Sequence, residues 1–328
     1  MNPVRAIQCT PIASRFYARL KPIVPSAFLI EIPNARLMGA HGWIIGDHDS
    51  HLLDCSFWAY PDDQLNISDH LMLRRRIAPS IHRLSGRTLS LASDYVIGGF
   101  GHFLHDSLTR LHLLELAGIN PSEFDWIYLP HLNTPNANSL FAASGLPPER
   151  VVSWNPTLDY ECDSLTATTF PGRPGHIAPT YSSFLRRQFK PTSHLPQRKL
   201  YLSRRGYRRD FRNAADVDDL LARHGFEACY PHCDPQVLSK CASATHVVAI
   251  EGANFLNIFA CAPGTKALLI LPDAGPTLPY CLTLASSAEL ALYLLAARSL
   301  DQPTTEPGIA DVHVDLAQLS TALEQMNC

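Results

Sequence analysis

Short apolar runs recur along the chain, each cut off by Gly, Pro, Asp or Asn, and their arrangement changes near residue 84. Up to that point Phe28-Leu-Ile-Glu-Ile-Pro33, Gly42-Trp-Ile-Ile-Gly-Asp47 and His51-Leu-Leu-Asp-Cys55 read as brief strands between turns. From about 85 to 170 strands and helices alternate. Thr88-Leu-Ser-Leu91 leads into Gly98-Gly-Phe-Gly101, a helix runs to Gly118, and Asp125-Trp-Ile-Tyr-Leu-Pro130 is a strand. A short helix capped by Asn136 ends at Gly145, and Val151-Val-Ser-Trp154 opens the next strand. Pro171-Gly-Arg-Pro-Gly175 interrupts, a helix covers about 180–189, and Lys190–Pro196 reads as a linker.

The alternation then resumes. Lys199-Leu-Tyr-Leu-Ser203 is a strand, and Asn213 with Asp216 has the form of a capping box opening a helix that stops at Gly225. Asp234-Pro235 starts another helix, His246-Val-Val-Ala-Ile250 is a buried strand, a short helix follows Gly252, and Lys266-Ala-Leu-Leu-Ile-Leu271 is the next strand. Helical runs near 286–299 and 315–326 close the chain. The expected fold is α/β with two Rossmann-like halves. Residues 1–190 form a first domain, with a β-rich segment over 1–84; residues 191–300 form a second, and 301–328 a tail that can return to the first.

Composition narrows the chemistry. The 328 residues suffice for two cores, and 27 basic against 30 acidic residues exclude nucleic-acid binding through bulk charge. Lysine occurs only at 21, 190, 199, 240 and 266, so arginine carries most of the positive charge, which suits bidentate phosphate contacts and equally reflects a GC-rich genome. Nine irregularly spaced cysteines do not form a disulfide framework and indicate a reducing compartment. No signal peptide or spanning run is evident, so a cytosolic protein is expected. Cys229, His232, Cys233 and Cys241 lack a paired Cys-x-x-Cys, and no metal or cofactor is expected.

Three polar clusters stand at element ends. At about 100° per residue, His102, His105, Asp106 and Thr109 share one arc of a helix, opposite Leu104, Leu108 and Leu111. Such a group is either the solvated face of an amphipathic helix or a general base tuned by two imidazoles. Ser203, Arg204, Arg205, Arg208 and Arg209 follow a strand, either as a solvated basic turn or as a loop that wraps a diphosphate. Glu251-Gly252-Ala253-Asn254 lies between a buried strand and a helix. It is either a plain turn with Asn254 as N-cap, or an anion site at a helix start with Glu251 serving a ribose or sugar hydroxyl.

The clusters, in this order, resemble glycosyltransferase family 61. The family's His-x-x-x-Asp helix is matched by His102 and Asp106, and its Tyr-x-Ser-Arg-Arg segment by Tyr201, Ser203, Arg204 and Arg205. Its Gly-Ala-x-x-x-Asn turn is matched by Gly252, Ala253 and Asn257, and its Cys-x-Pro-Gly-Thr end by Cys261, Pro263, Gly264 and Thr265. The likeness runs from about Gly39 to Pro272. It implies a GT-B-like fold of two Rossmann-like domains facing across a cleft, and an inverting, metal-independent transfer of a hexosyl or pentosyl group. The implied donor is a nucleotide-diphosphate sugar such as a UDP-sugar, and the acceptor a hydroxyl of a glycan or lipid-linked saccharide.

The resemblance makes Asp106 the candidate base with His102 and His105 beside it. Ser203, Arg204, Arg205, Arg209, Glu251, Gly252, Ala253, Asn254 and Asn257 become the donor site. Eukaryotic members commonly carry His where this chain has Glu251, which cannot donate to phosphate and is directed instead to a ribose. The implied setting is bacterial surface-polysaccharide synthesis in the cytosol, at most peripherally at the inner face of the membrane. A nucleotide-dependent oxidoreductase and a non-catalytic sugar-nucleotide or glycan-binding subunit are the alternatives, the former weakened because Gly98-Gly-Phe-Gly101 lacks a third glycine in register.

Overall fold

A computed structural model describes residues 26–56, 79–93, 96–97, 99–130, 133–172, 176–189, 197–207, 209–272, 278–299 and 311–328. The linker Lys190–Pro196, Gly98 of the glycine turn and Arg208 of the basic loop lie outside the described residues. The described residues divide into two compact units, 26–172 and 176–328, each with its own six-stranded sheet.

In the first unit the strands are β1 (Leu29–Met38), β2 (Trp43–Ile45), β3 (Ser80–Ser90), β4 (Trp126–Tyr128), β5 (Val151–Val152) and β6 (Leu158–Thr168), in the order β2-β1-β6-β3-β4-β5. β1 pairs antiparallel with β2 and β6, whereas β6, β3, β4 and β5 run parallel. The β-rich start of the chain is thus built into the same sheet as the alternating region. Its hairpin turns on Gly42 (φ +60), where a Cβ would run into Ala92 and the Tyr128 ring. β6 is the central strand that the hydrophobic pattern does not announce, because Asp159, Glu161 and Asp163 interrupt it. Two of these carboxylates have fixed tasks: Asp159 accepts from the Gly39 amide at 2.9 Å, and Asp163 from the Gly86 amide at 3.0 Å and Arg83 Nε at 2.9 Å. Leu37, Ile44, Leu84, Tyr128, Leu165 and Ala167 fill the core on its apolar positions.

Two local expectations give way to neighbouring residues. His51 makes only a single bridge to Ile45, and Leu53–Ser56 is a helical turn rather than a strand. The helix Pro135–Ala143 is capped by Thr134, whose hydroxyl accepts from the Ala137 amide at 3.3 Å; Asn136 lies inside it and is buried. Pro135 at the first helical position sets that start.

The second unit holds β7 (Arg198–Leu202), β8 (Phe226–Cys229), β9 (Ala244–Ile250), β10 (Lys266–Pro272), β11 (Ala291–Ser299) and β12 (Val312–His313), in the order β12-β11-β10-β9-β7-β8. All neighbours are parallel except β11 and β12. Counting from β7, the parallel strands follow the doubly wound order 2-1-3-4-5, so the chain changes direction across the sheet between β7 and β9. That is the crevice where this architecture binds ligands.

Residues 291–299 form a strand where the Ala- and Leu-rich run suggested a helix; the helix is Leu278–Ser287 just before it. Local propensity favours a helix there, but a place beside β10 with Leu292 and Leu295 buried decides otherwise. The helix Ala214–Arg223 stops as expected before Gly225 (φ +80), yet Asn213 makes no side-chain cap. Its amide nitrogen instead donates to the Val314 carbonyl at 2.9 Å, tying in the end of the chain. The tail helix Leu316–Gln325 packs Leu319, Ala322 and Leu323 onto Val217, Leu220 and Leu221 of this same unit. The helix Tyr181–Phe189 also belongs here: Arg186 donates to the Phe259 carbonyl at 2.9 Å and the Ala288 carbonyl at 2.8 Å. Among the described residues no helix is long and apolar enough to cross a membrane.

Candidate active site

Each unit gathers polar side chains at the carboxyl edge of its parallel strands, where the strand order reverses. In the first unit that point lies between β3 and β6. The chain leaves β3 through Leu91, Ala92 and Ser93 and enters an α-helical turn, Phe100–His102. A π-helical segment, Phe103–Leu108, follows, and then the α-helix Arg110–Ala117. An i→i+5 ladder winds more slowly than an α-helix, so the expected common arc does not carry through 103–108.

His102 and Asp106 nevertheless meet, with Nδ1 2.6 Å from Oδ2, and Ser93 Oγ donates to the same oxygen at 3.2 Å. The group is no solvated face: Asp106 is 3 % exposed and His105 6 %, and Ser107 and Thr109 are buried too. Burial holds the Asp106 carboxyl above its usual range, against the pull of His102, the hydrogen bond from Ser93 and the charge of Arg110. Burial likewise pushes His105 well below the usual imidazole range, with His102 adding to the effect, so His105 stays neutral. Arg110 is fully buried; its guanidinium donates to the Cys55 and Ser90 carbonyls and lies 4.0 Å from the Phe170 ring centre.

In the second unit the crevice between β7 and β9 is stitched across. Leu202 stands beside Ala249, and Asn254 Nδ2 donates to the Ser203 carbonyl at 2.7 Å, while on the far side of β7 the Ser203 amide donates to the Cys229 carbonyl of β8 at 2.8 Å. Gly252 sits at φ +138°, ψ −171°, a conformation open essentially to glycine alone. A Cβ on it would overlap the Arg204 guanidinium and reach within 3.4 Å of Arg209 Nη1. Arg209 Nη1 donates to the Glu251 carbonyl at 3.1 Å and pairs with its carboxylate at 3.2 Å. Burial, with Arg209 beside it, lowers Arg204 to about 10, which leaves it a cation at neutral pH. Arg204, Arg209 and the buried Glu251 thus meet at the start of the 3-10 helix Ala253–Ala260.

Ser203, Arg204, Arg209, Glu251, Gly252, Ala253 and Asn254 therefore share one edge. Arg205 does not join them: it is exposed and ion-paired to Asp218 on the helix Ala214–Arg223. Asn257 is fully buried and donates to the Asn254 carbonyl at 2.9 Å, bracing the turn from beneath. Glu251 is also fully buried and orients Arg209; Asn254 bridges the loops instead of capping. The Cys229 thiol donates a hydrogen bond to Asp234 Oδ2 at 3.3 Å and is pushed up to about 12 by burial, while the free thiols of Cys241 and Cys261 are hydrogen-bonded to each other. Among the described residues no group of three or more His, Cys, Asp or Glu is arranged to hold a metal ion.

Ser93 and Arg110 were not legible as site residues. Ser93 lies in an unpatterned stretch after a strand; Arg110, four residues beyond Asp106, carried the one available hint.

A family model described as Glycosyltransferase 61 matches residues 100–268, about half of the chain, and spans both polar clusters. No curated protein matches the chain.

Proposed function

The chain belongs to glycosyltransferase family 61 and is a glycosyltransferase, and on that premise we propose that it transfers a hexosyl or pentosyl group from a nucleotide-diphosphate sugar, a UDP-sugar in the first instance, to a glycan hydroxyl with inversion. The observation that carries the donor side is the pair of guanidiniums packed over Gly252 at the β7–β9 crevice. Such a cradle suits the diphosphate and stabilises the charge that develops on it as it leaves, without calling on a metal ion. A GT-B-like division of labour gives the acceptor to the first unit and the donor to the second.

On the acceptor side, among the described residues, both side-chain hydrogen bonds to Asp106 land on Oδ2, and Oδ1 is the oxygen assigned to take the proton of the attacking hydroxyl. A carboxyl raised by burial is a stronger base than an ordinary one, and His102 orients it. His105 is buried and neutral. Synthesis of a bacterial surface polysaccharide at the inner face of the membrane is the setting this reading favours.

Calorimetric titration with UDP and with pyrophosphate tests the assignment. Arg204→Ala should weaken both alike, and Arg204→Lys should recover only part, since an ammonium lacks the planar fork. Unchanged affinity for both in a folded Arg204→Ala protein would return the loop to a solvated basic turn.

A further inference from the structure

We propose that Tyr207, Tyr230 and His232 form a stacking platform for the base of a nucleoside diphosphate whose phosphates lie at Arg204 and Arg209. The inference rests on the donor reading above and adds to it a subsite on the β8 side of the crevice. Tyr207 and Tyr230 are 52 % and 37 % exposed, and the imidazole of His232 lies between them in contact terms: its ring centre is 4.5 Å from that of Tyr207 and 6.4 Å from that of Tyr230.

Their place in the fold is what ties the rings to the phosphates. Tyr230 is the first residue after β8, and Tyr207 closes a turn by donating its amide to the Arg204 carbonyl at 2.9 Å. β7 and β8 run parallel with Leu202 beside Cys229, so the two loops leave the sheet at one edge. The Tyr230 carbonyl accepts the amides of Cys233 and Asp234, each at 3.0 Å, which fixes the turn that carries His232. Burial lowers the His232 imidazole, so it presents a neutral ring that needs no desolvation of charge. The His232 ring is inclined 51° to Tyr207 and 76° to Tyr230, so each exposed tyrosine is a separate surface beside the phosphate loop, and a planar heterocycle tethered through a ribose to a diphosphate suits such a surface because stacking tolerates any of the bases.

Calorimetric titration of the full chain with UDP, CDP, GDP, ADP and pyrophosphate provides the test. Tyr207→Ala should weaken the tightest nucleoside diphosphate about tenfold or more while leaving pyrophosphate unchanged, and Tyr207→Phe should stay near wild type. Tyr230→Ala should shift affinity in the same sense. Equal loss of pyrophosphate would mean that Tyr207 merely props the Arg204 loop, and would overturn the proposal. If binding depends on Arg204 and on neither tyrosine, the platform alone falls; if the wild type binds no nucleoside diphosphate, it falls together with the donor reading.

Discussion

Gly252→Ala separates backbone strain from ligand binding. The residue sits at φ +138°, ψ −171°, where a side chain is strained by about 1–3 kcal/mol. For a body of this size each kcal/mol lowers Tm by about 2–4 °C, so a loss of several degrees is expected. The added methyl also lands on the Arg204 guanidinium, and because that is the far end of a flexible side chain, it gives way. Displacing it removes charge-assisted hydrogen bonds to a diphosphate, worth about 1.5–3 kcal/mol, or about 10- to 100-fold in affinity. Gly264→Ala is the control: its φ is +82°, so it too is strained, but nothing lies within 4 Å of the added carbon. Thermal denaturation should rank both variants below wild type, whereas titration with UDP should show weakened binding for Gly252→Ala alone. A Gly252→Ala protein that is destabilised like the control yet binds UDP as wild type does would refute the placement of the phosphates over this glycine.

Three further outcomes follow from the same geometry. Asp106→Asn should lower turnover by about two to four orders of magnitude with donor affinity unchanged, and a chelator should not reproduce that loss; near-normal turnover would move the base to His102 or His105, and abolition by chelator reversed by a divalent ion would reject metal independence. Because the fold raises the Asp106 carboxyl, its contribution to stability is full below the ordinary value of 3.8 and is lost as pH rises through the folded value. Asp106→Asn should therefore stabilise the protein against urea at neutral pH, by a margin that closes on acidification, while depressed His105 should cost stability as pH falls below 6.5, a limb that His105→Gln flattens. Arg205→Ala should leave UDP affinity within about twofold of wild type, since its partner is the half-buried Asp218 on the helix Ala214–Arg223 and a pair at the surface is worth little; a loss as large as that of Arg204→Ala would place Arg205 on the ligand.

What the sequence determined by itself is the alternation of strand and helix, the polar clusters after β3, β7 and β9, and their order along the chain. Those are local properties: a buried parallel strand such as His246–Ile250 is a continuous apolar run, and the polar residues that follow it mark its carboxyl end. The tertiary structure decided what local signals cannot carry. β6 is central despite three acidic residues, because two of them find backbone amides, one in the turn after β1 and one on β3; residues 291–299 are a strand because β10 lies beside them. Burial, which follows only from packing, turned an apparent polar helix face into a buried Asp106 paired with a half-buried His102. Side-chain partners sorted the arginines: Arg204 and Arg209 over Gly252, Arg205 out to Asp218. Adjacent residues in one basic run are alike in sequence, and only the direction each leaves the backbone, with the charge it then meets, gives them different work.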